Sequence, residues 1–405
     1  MAGGYTSDME TIRPASRLAG VRYEIRGPLA RRAAELERQG FEILKLNIGN
    51  PAAFGFRAPE ALRRALVEGL PQAEGYVHQK GIFPAREAVA FQQQERGAHH
   101  VSADDVFIGN GVSELVLLTL GALLDPGDEV LLPSPDYPLW TAATTLHGGR
   151  PVHYPCRPED GWVPDVAALA ERITPRTRAL VVISPNNPTG AVYPREVVEK
   201  LAALAEERGL IVLSDEIYDG ITYDGAEHVP IAPLVTRTLC ATFGGISKVH
   251  RACGYRVGWV SFSGEKRGAR EYLLALDTLA SLRLCANVPG QSVVQAALGE
   301  RSIRELVEPG GRLWQTRAAL ALGVRHSRHL SLVVPRGALY AFVRCAASGF
   351  DDQGFALELL EKRHVLVTPG SGFNVPYRDH FRLTLLPDEA TMGEVLRRIE
   401  EQLES

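Results

Sequence analysis

The chain has 405 residues, 45% hydrophobic and 23% charged, with a net charge of −4 and no long run of one sign. This is the composition of a soluble globular protein, long enough for one large domain and a smaller one. It argues against a nucleic-acid stripe or a basic membrane helix and favours a small-molecule partner. The five cysteines (Cys156, Cys240, Cys253, Cys285, Cys345) are scattered and lack CxxC spacing. Neither a disulfide framework nor a zinc site is expected, and reduced thiols in a cytoplasmic enzyme fit. The opening MAGGYTSDMETIRPASRLAG has no apolar signal core, and no apolar run reaches the length of a membrane span.

In chain order, EILKLNI (42–48) reads as a strand. DVFIGN (105–110) reads as a short strand running into a helix at GVSELVLLTLGALL (111–124). DEVLLP (128–133) is a strand, followed by a helix within YPLWTAATTLHGG (137–149). RALVVIS (178–184) is a buried strand. REVVEKLAALAEERG (195–209) is an amphipathic helix with a glycine stop. LIVLSDE (210–216), TLCATFGG (238–245) and RVGWVSF (256–262) complete the strand set. Strands alternating with helices over roughly 60 to 300 imply a mostly parallel sheet covered on both faces, an α/β class. The remainder reads as α+β, with strands at ALYAFVRC (338–345) and HFRLTLL (380–386). The last helix carries Met392, Val395, Leu396, Ile399 and Leu403 on one face, with Asp388 placed to cap it. The expected organisation is an N-terminal segment with part of a small domain (1–58), a large ligand-binding domain (59–304) and a C-terminal small domain (305–405).

Four polar clusters fall where strands end, the place where open α/β sheets bind ligands. GNGVSE (109–114) offers the backbone N–H groups of Gly111, Val112 and Ser113 at a helix start, either as a phosphate site or as an ordinary capped helix. SPNNPTG (184–190) is a rigid turn in which Asn187 either donates to a ligand oxygen or simply lines a loop. In LSDEIYD (213–219), Asp215 follows an apolar run and needs a partner: a pyridinium nitrogen, a neighbouring arginine or the helix start that it would cap. Tyr218, three residues on, can reach the same ligand. FGGISKVHRACGYRVGW (243–259) sets Lys248 in an apolar, glycine-rich frame with Arg256 eight residues later. An exposed lysine is the bland reading; a Schiff-base amine is the chemical one. Taken together, the clusters describe a ligand with a phosphate, a basic ring nitrogen, a ring oxygen and an aldehyde. Pyridoxal 5′-phosphate has all four.

NNPTG, SDEIY and SKxxxxxGxRxGW occur together here, and by them the chain resembles the class I/II aminotransferases of PLP fold type I over nearly its whole length. VRYEIRGP, LKLNIGNPAAFGF, DYPLWTAA, RLCANVP and PRGALY are similar to the bacterial glutamate–pyruvate (alanine) aminotransferases. The resemblance implies a seven-stranded, mostly parallel sheet flanked by helices, and a small α+β domain built from both chain ends. It implies that Tyr137 stacks on the cofactor ring, that Asn187 and Tyr218 contact its hydroxyl, and that Asp215 pairs with its nitrogen. Gly111, Val112, Ser113 and Arg256 would hold the phosphate, and Tyr76 in EGYVHQKG would reach the phosphate of the other subunit, so a homodimer is implied. Arg382 in HFRLT would clamp the substrate α-carboxylate, with the Gly49 backbone nearby. The expected mechanism is ping-pong, with Lys248 both carrying the cofactor and moving the α-proton.

One position departs from many members of the family. A phosphate-binding serine often stands three residues before the lysine; here that residue is Gly245, and the nearby serine is Ser247, which either substitutes or leaves the phosphate one ligand short. On the substrate side the resemblance implies Tyr23 and Arg26 as pocket residues. Arg26 either meets a distal carboxylate or pairs with Glu24 or the helix beginning near Pro28. Arg283 is either a further substrate candidate or an interface ion pair. The favoured substrates are alanine, glutamate and their 2-oxo acids. Valine or a biosynthetic intermediate is the alternative within PLP chemistry, and a non-catalytic PLP-fold regulator is the alternative outside it.

Overall fold

The structure, a computed structural model, describes residues 12–23, 27–299 and 303–405. Near the N-terminus a two-residue strand, β1 (Leu44–Lys45), stands apart from the main sheet. The main sheet is built from β2 (Val106–Gly109), β3 (Glu129–Ser134), β4 (Arg150–Pro155), β5 (Thr177–Ile183), β6 (Ile211–Asp215), β7 (Leu239–Gly245) and β8 (Gly258–Gly264). Its order is β2-β8-β7-β6-β5-β3-β4. All pairs are parallel except those of β8, which runs antiparallel to both β7 and β2. This is the seven-stranded, mostly parallel sheet expected.

The continuous apolar character of the inner strands follows from burial on two faces. In β5, Leu180 and Val182 face one core, with Val212 of β6 beside them. Ala179, Val181 and Ile183 face the other, together with Leu213 and Phe243. The period of two along each strand divides one apolar run between two hydrophobic layers.

One strand of the main sheet was not legible. Arg150–Pro155 (RPVHYP) pairs with β3 at the sheet edge, in the register Glu129↔Arg150 to Ser134↔Pro155. Its two prolines and its histidine hide the β pattern. Proline is tolerated there because an edge strand has one side without a ladder.

A second sheet has the order β12-β13-β10-β9, from β9 (Leu330–Leu332), β10 (Tyr340–Cys345), β12 (Thr368–Pro369) and β13 (His380–Thr384). It packs with helices Arg312–His326, Asp352–Arg363 and Glu389–Leu403 around a core that includes Leu320, Leu359, Phe381, Met392, Val395 and Ile399. Asp388 caps the last helix as expected, accepting from the Thr391 N–H at 2.8 Å. β1 does not extend the main sheet; it pairs in parallel with β11 (Val365–Leu366). That pairing ties residues near the N-terminus to the C-terminal part of the chain and carries the following segment, Asn47 to Asn50, towards the ends of the main-sheet strands. Among the described residues no helix is long and apolar enough to cross a membrane.

Candidate active site

The register of the parallel strands puts Ile183, Asp215 and Phe243 side by side at their carboxyl ends. The SPNNPTG turn, the Tyr218 segment and the Lys248 loop leave the sheet from these positions. Sequence-distant groups therefore converge because three neighbouring parallel strands end together.

Asp215 is 3% exposed. Its Oδ2 accepts from the Trp140 indole N–H at 3.0 Å, and its Oδ1 accepts weakly from the Ile217 N–H at 3.4 Å. Burial raises its carboxyl to about 6, against the lowering effect of those two donors and of Lys248. A cation at this position would reverse that balance, because an opposite charge favours the ionised form. Trp140 is fixed in turn by an edge-to-face contact with Phe243 at 5.2 Å. It was not among the residues singled out from sequence. Nothing local set it apart: it is one of several apolar residues on helix Leu139–Leu146, which begins just after Tyr137.

Lys248 is half-buried, and its Nζ donates to the Gly49 carbonyl at 2.8 Å. Gly49 must be glycine here, because a Cβ at this position would overlap the Tyr340 hydroxyl. Arg382 is 1% exposed. It donates to Asn187 Oδ1 at 3.0 Å, to Thr368 Oγ1 at 3.4 Å and to the Asn47 carbonyl. Its guanidinium lies 4.4 Å from the Tyr340 ring centre and 4.8 Å from that of Phe373. Its Nε has no hydrogen-bond partner among the described residues. The row Thr368↔Arg382↔Phe342 across β12, β13 and β10 explains this placement: one face of the second sheet presents the arginine to the main-sheet strand ends.

At the start of helix Val112–Leu123, Gly111 has φ +84°, a left-handed value that glycine adopts freely. The Arg256 guanidinium lies against this turn, and a Cβ on Gly111 would overlap it. Arg256 donates to the carbonyls of Cys253 and Asn110, at 3.0 Å each. A Cβ at Gly258 would sit 2.6 Å from the Val112 nitrogen. Two glycines thus leave backbone N–H groups, a helix N-terminus and a guanidinium around one small cradle, a set suited to a phosphate. Ser113 is half-buried on the first turn of that helix, and Ser247 is buried beside Lys248.

Gly245 has a local reason. A Cβ there would lie 3.0 Å from the Val257 carbonyl oxygen and 3.1 Å from the Gly258 Cα of the paired strand. The close approach of β7 and β8 disfavours a side chain at this position.

Tyr137 lies beside the site, its hydroxyl 2.8 Å from that of Tyr23. Its phenol is pushed well above 10, by burial first and then by Tyr23. Tyr23 and Tyr137 therefore meet as a pair, and Arg26 lies outside the described residues. Arg283 donates to the Ile108 carbonyl at 2.8 Å and pairs with Glu114 at 3.3 Å within this chain. Tyr76 is 82% exposed. Tyr340, which sequence reasoning also missed, lies 3.1 Å from Tyr218 through the two hydroxyls. Its signal was positional only: it stands two residues from Phe342, the cross-strand partner of Arg382, and so shares that face.

The donor set fits pyridoxal 5′-phosphate on three counts. A buried carboxylate makes no ion pair with a basic side chain among the described residues, a two-glycine cradle faces an arginine, and the Nε–H of a buried guanidinium has no partner among them. Fold and cluster together are those of a PLP-type transferase. The chain belongs to the class I and II aminotransferases, a PLP-dependent family, whose model matches residues 42–399. It is 48% identical over 390 residues to a protein named alanine aminotransferase from Mycobacterium tuberculosis (strain H37Rv), covering 95% of this chain and 91% of that one. It is 47% identical over 383 residues to glutamate-pyruvate aminotransferase AlaA of Escherichia coli (strain K12), covering 94% and 95%. A crystal structure of an Escherichia coli aminotransferase superposes with a TM-score of 0.96 at 46% identity, over 98% of this chain and 99% of that one.

Proposed function

We propose that the enzyme moves an amino group between L-alanine or L-glutamate and pyruvate or 2-oxoglutarate, in two half-reactions on pyridoxal 5′-phosphate. The observation that carries this reading is the convergence of Lys248, Asp215 and Arg382 at the strand ends, with Lys248 Nζ only 2.8 Å from the Gly49 carbonyl. When bound, the cofactor supplies an electron sink for the pair left behind as the α-proton departs.

The chain's own groups do the rest. Asp215 holds a proton on the ring nitrogen, and Trp140 keeps the carboxylate aimed. Asn187 and Tyr218 contact the ring hydroxyl, and Tyr137 covers the ring. Gly111, Val112, Ser113, Ser247 and Arg256 hold the phosphate. Arg382 grips the α-carboxylate with its free edge, which Asn187, Thr368 and the two aromatic rings pre-orient. Lys248 would carry the cofactor and, with its amine free, would take the substrate α-proton as general base. Tyr23, beside Tyr137, lines the substrate space with Gly49, and Arg26 receives the distal carboxylate of glutamate.

The enzyme works as a homodimer in the cytoplasm. The outward Tyr76 serves the neighbouring subunit's phosphate, and exposed Leu70, Leu282 and Leu284 supply apolar contact area. The five unpaired cysteines suit a reducing compartment. The residues divide accordingly into a small domain with its N-terminal segment (1–58 and 305–405) and a large domain (59–304).

The test is a half-reaction spectrum. PLP-loaded protein is mixed singly with L-alanine, L-glutamate, L-valine, L-aspartate and an aromatic amino acid, without any 2-oxo acid. Rapid loss of the visible band with alanine and glutamate, restored by pyruvate or 2-oxoglutarate, is the expected result. Conversion only by another amino acid overturns the substrate assignment. No conversion by any of them overturns the substrate assignment too, and points to an amino donor outside this set or to a reaction other than transamination.

A further inference from the structure

Tyr340 is 2% exposed and touches three of the proposed site residues at once. Its hydroxyl lies 3.1 Å from that of Tyr218, with the rings crossed at 84° and 5.7 Å apart. Its ring face carries the Arg382 guanidinium at 4.4 Å. Its hydroxyl abuts Gly49, whose carbonyl receives the Lys248 ammonium. A phenylalanine would fill the same space and support the same guanidinium, so the buried hydroxyl needs a separate reason.

The charges suggest one. Burial raises the Tyr340 phenol, but Lys248, Arg382 and the bond from Tyr218 outweigh it and hold it below 10. The Tyr218 phenol is pushed well above 10, by burial first and then by Tyr340. As the two stand, Tyr218 is the donor and Tyr340 the acceptor. The groups facing the pair are Lys248, Arg382 and Cys253 on the Tyr340 side, and Tyr137 and Asp215 on the Tyr218 side. A phenol has one hydrogen. While Tyr218 gives its hydrogen to Tyr340, none is left for a ring oxygen. If that hydrogen turns to the ligand, the Tyr218 oxygen is left without a donor unless Tyr340 turns its own.

We propose that Tyr340 is a positioning residue with two roles: its hydroxyl reverses to donate to Tyr218 whenever Tyr218 donates to the cofactor's ring oxygen, and its ring fixes the plane of Arg382. The inference rests on the roles of Tyr218 and Arg382 proposed above. Two donors in series polarise one another and stabilise an anionic oxygen better than one.

The experiment is a pH titration of the visible absorbance of PLP bound to wild-type, Y340F, Y218F and the double variant, with kcat and KM for L-alanine. Less stabilisation of the ring oxyanion raises the midpoint at which the chromophore loses its proton. One supporting hydrogen bond corresponds to about half a pH unit upward in Y340F. Y218F shifts it further, and the double variant matches Y218F alone, because Tyr340 acts only through Tyr218. KM in Y340F stays within about twofold, since the ring remains. Y340L keeps bulk but removes the ring, and raises KM about fivefold. An unmoved midpoint in Y340F, or an equal shift in the Y218F background, overturns the relay. A KM in Y340L within about twofold of wild-type overturns the ring assignment. A wild-type protein with no visible band on adding PLP overturns the proposed site and this inference together, whereas a normal band with no response to Y340F overturns the inference alone.

Discussion

Replacing Asp215 with asparagine should make the cofactor-free protein more stable at neutral pH while crippling the enzyme. The side chain is fully buried, and its carboxyl is raised from its usual 3.8 to about 6, chiefly by loss of water. At about 1.4 kcal/mol per pH unit, that rise corresponds to about 3 kcal/mol. The sign follows from proton binding. Between about pH 4 and 6 the folded state holds a proton that the unfolded state has released, so stability falls as pH rises through this window and levels off above it. Asparagine does not titrate, and its side-chain oxygen can still accept from the Trp140 indole. Any fixed offset from repacking is independent of pH. The stability of Asp215→Asn minus that of wild-type should therefore climb by about 2 kcal/mol from pH 4.5 to pH 8, the part of the full rise that lies above pH 4.5, read from urea denaturation of cofactor-free protein at several pH values. With PLP bound the ordering should reverse, because the pyridinium needs the carboxylate. A difference that stays flat across pH 4.5 to 8 without cofactor refutes the reasoning about burial at this site.

Three further substitutions probe the rest of the cluster. Arg382→Lys keeps the charge but loses the planar fork, so KM for L-alanine should rise at least about tenfold, with the cofactor's visible spectrum unchanged; steady-state kinetics reads it. Gly111→Ala strains a φ of +84° and drives a methyl group into Arg256, so PLP affinity should fall at least about tenfold on titration of the cofactor-free protein, with about 1–2 kcal/mol of lost stability. Gly245→Ser, which installs the serine common elsewhere in the family, should destabilise by about 1–3 kcal/mol in urea and not tighten PLP binding, because its Cβ meets the Val257 carbonyl at 3.0 Å.

Local chemistry was readable from the sequence wherever a residue type was itself improbable. A lysine in a glycine-rich frame, a carboxylate closing an apolar run and a glycine before a helix each advertised a special environment, and their order along the chain pointed to one kind of ligand. The inner strands were legible because burial on both faces leaves an unbroken apolar run, while Arg150–Pro155 was not, since an edge strand tolerates prolines that erase the pattern. Arg382 and Gly49 were accessible only through resemblance to relatives, because nothing in HFRLT or NIGNP distinguishes them locally.

Tertiary structure alone decided which groups meet. Trp140 reaches Asp215 across 75 residues of chain, and Tyr340 reaches Tyr218 across 122. Neither residue is odd in its own segment; a buried aromatic is the commonest use of both types. Their roles arise from strand register and from the packing of one sheet's face against the other's strand ends. The reason for Gly245 is likewise invisible in its own loop, since it lies in the backbone of the neighbouring strand. Sequence specifies the chemistry of each group through composition and local pattern, whereas distance and orientation between groups far apart in the chain exist only once the sheets have formed.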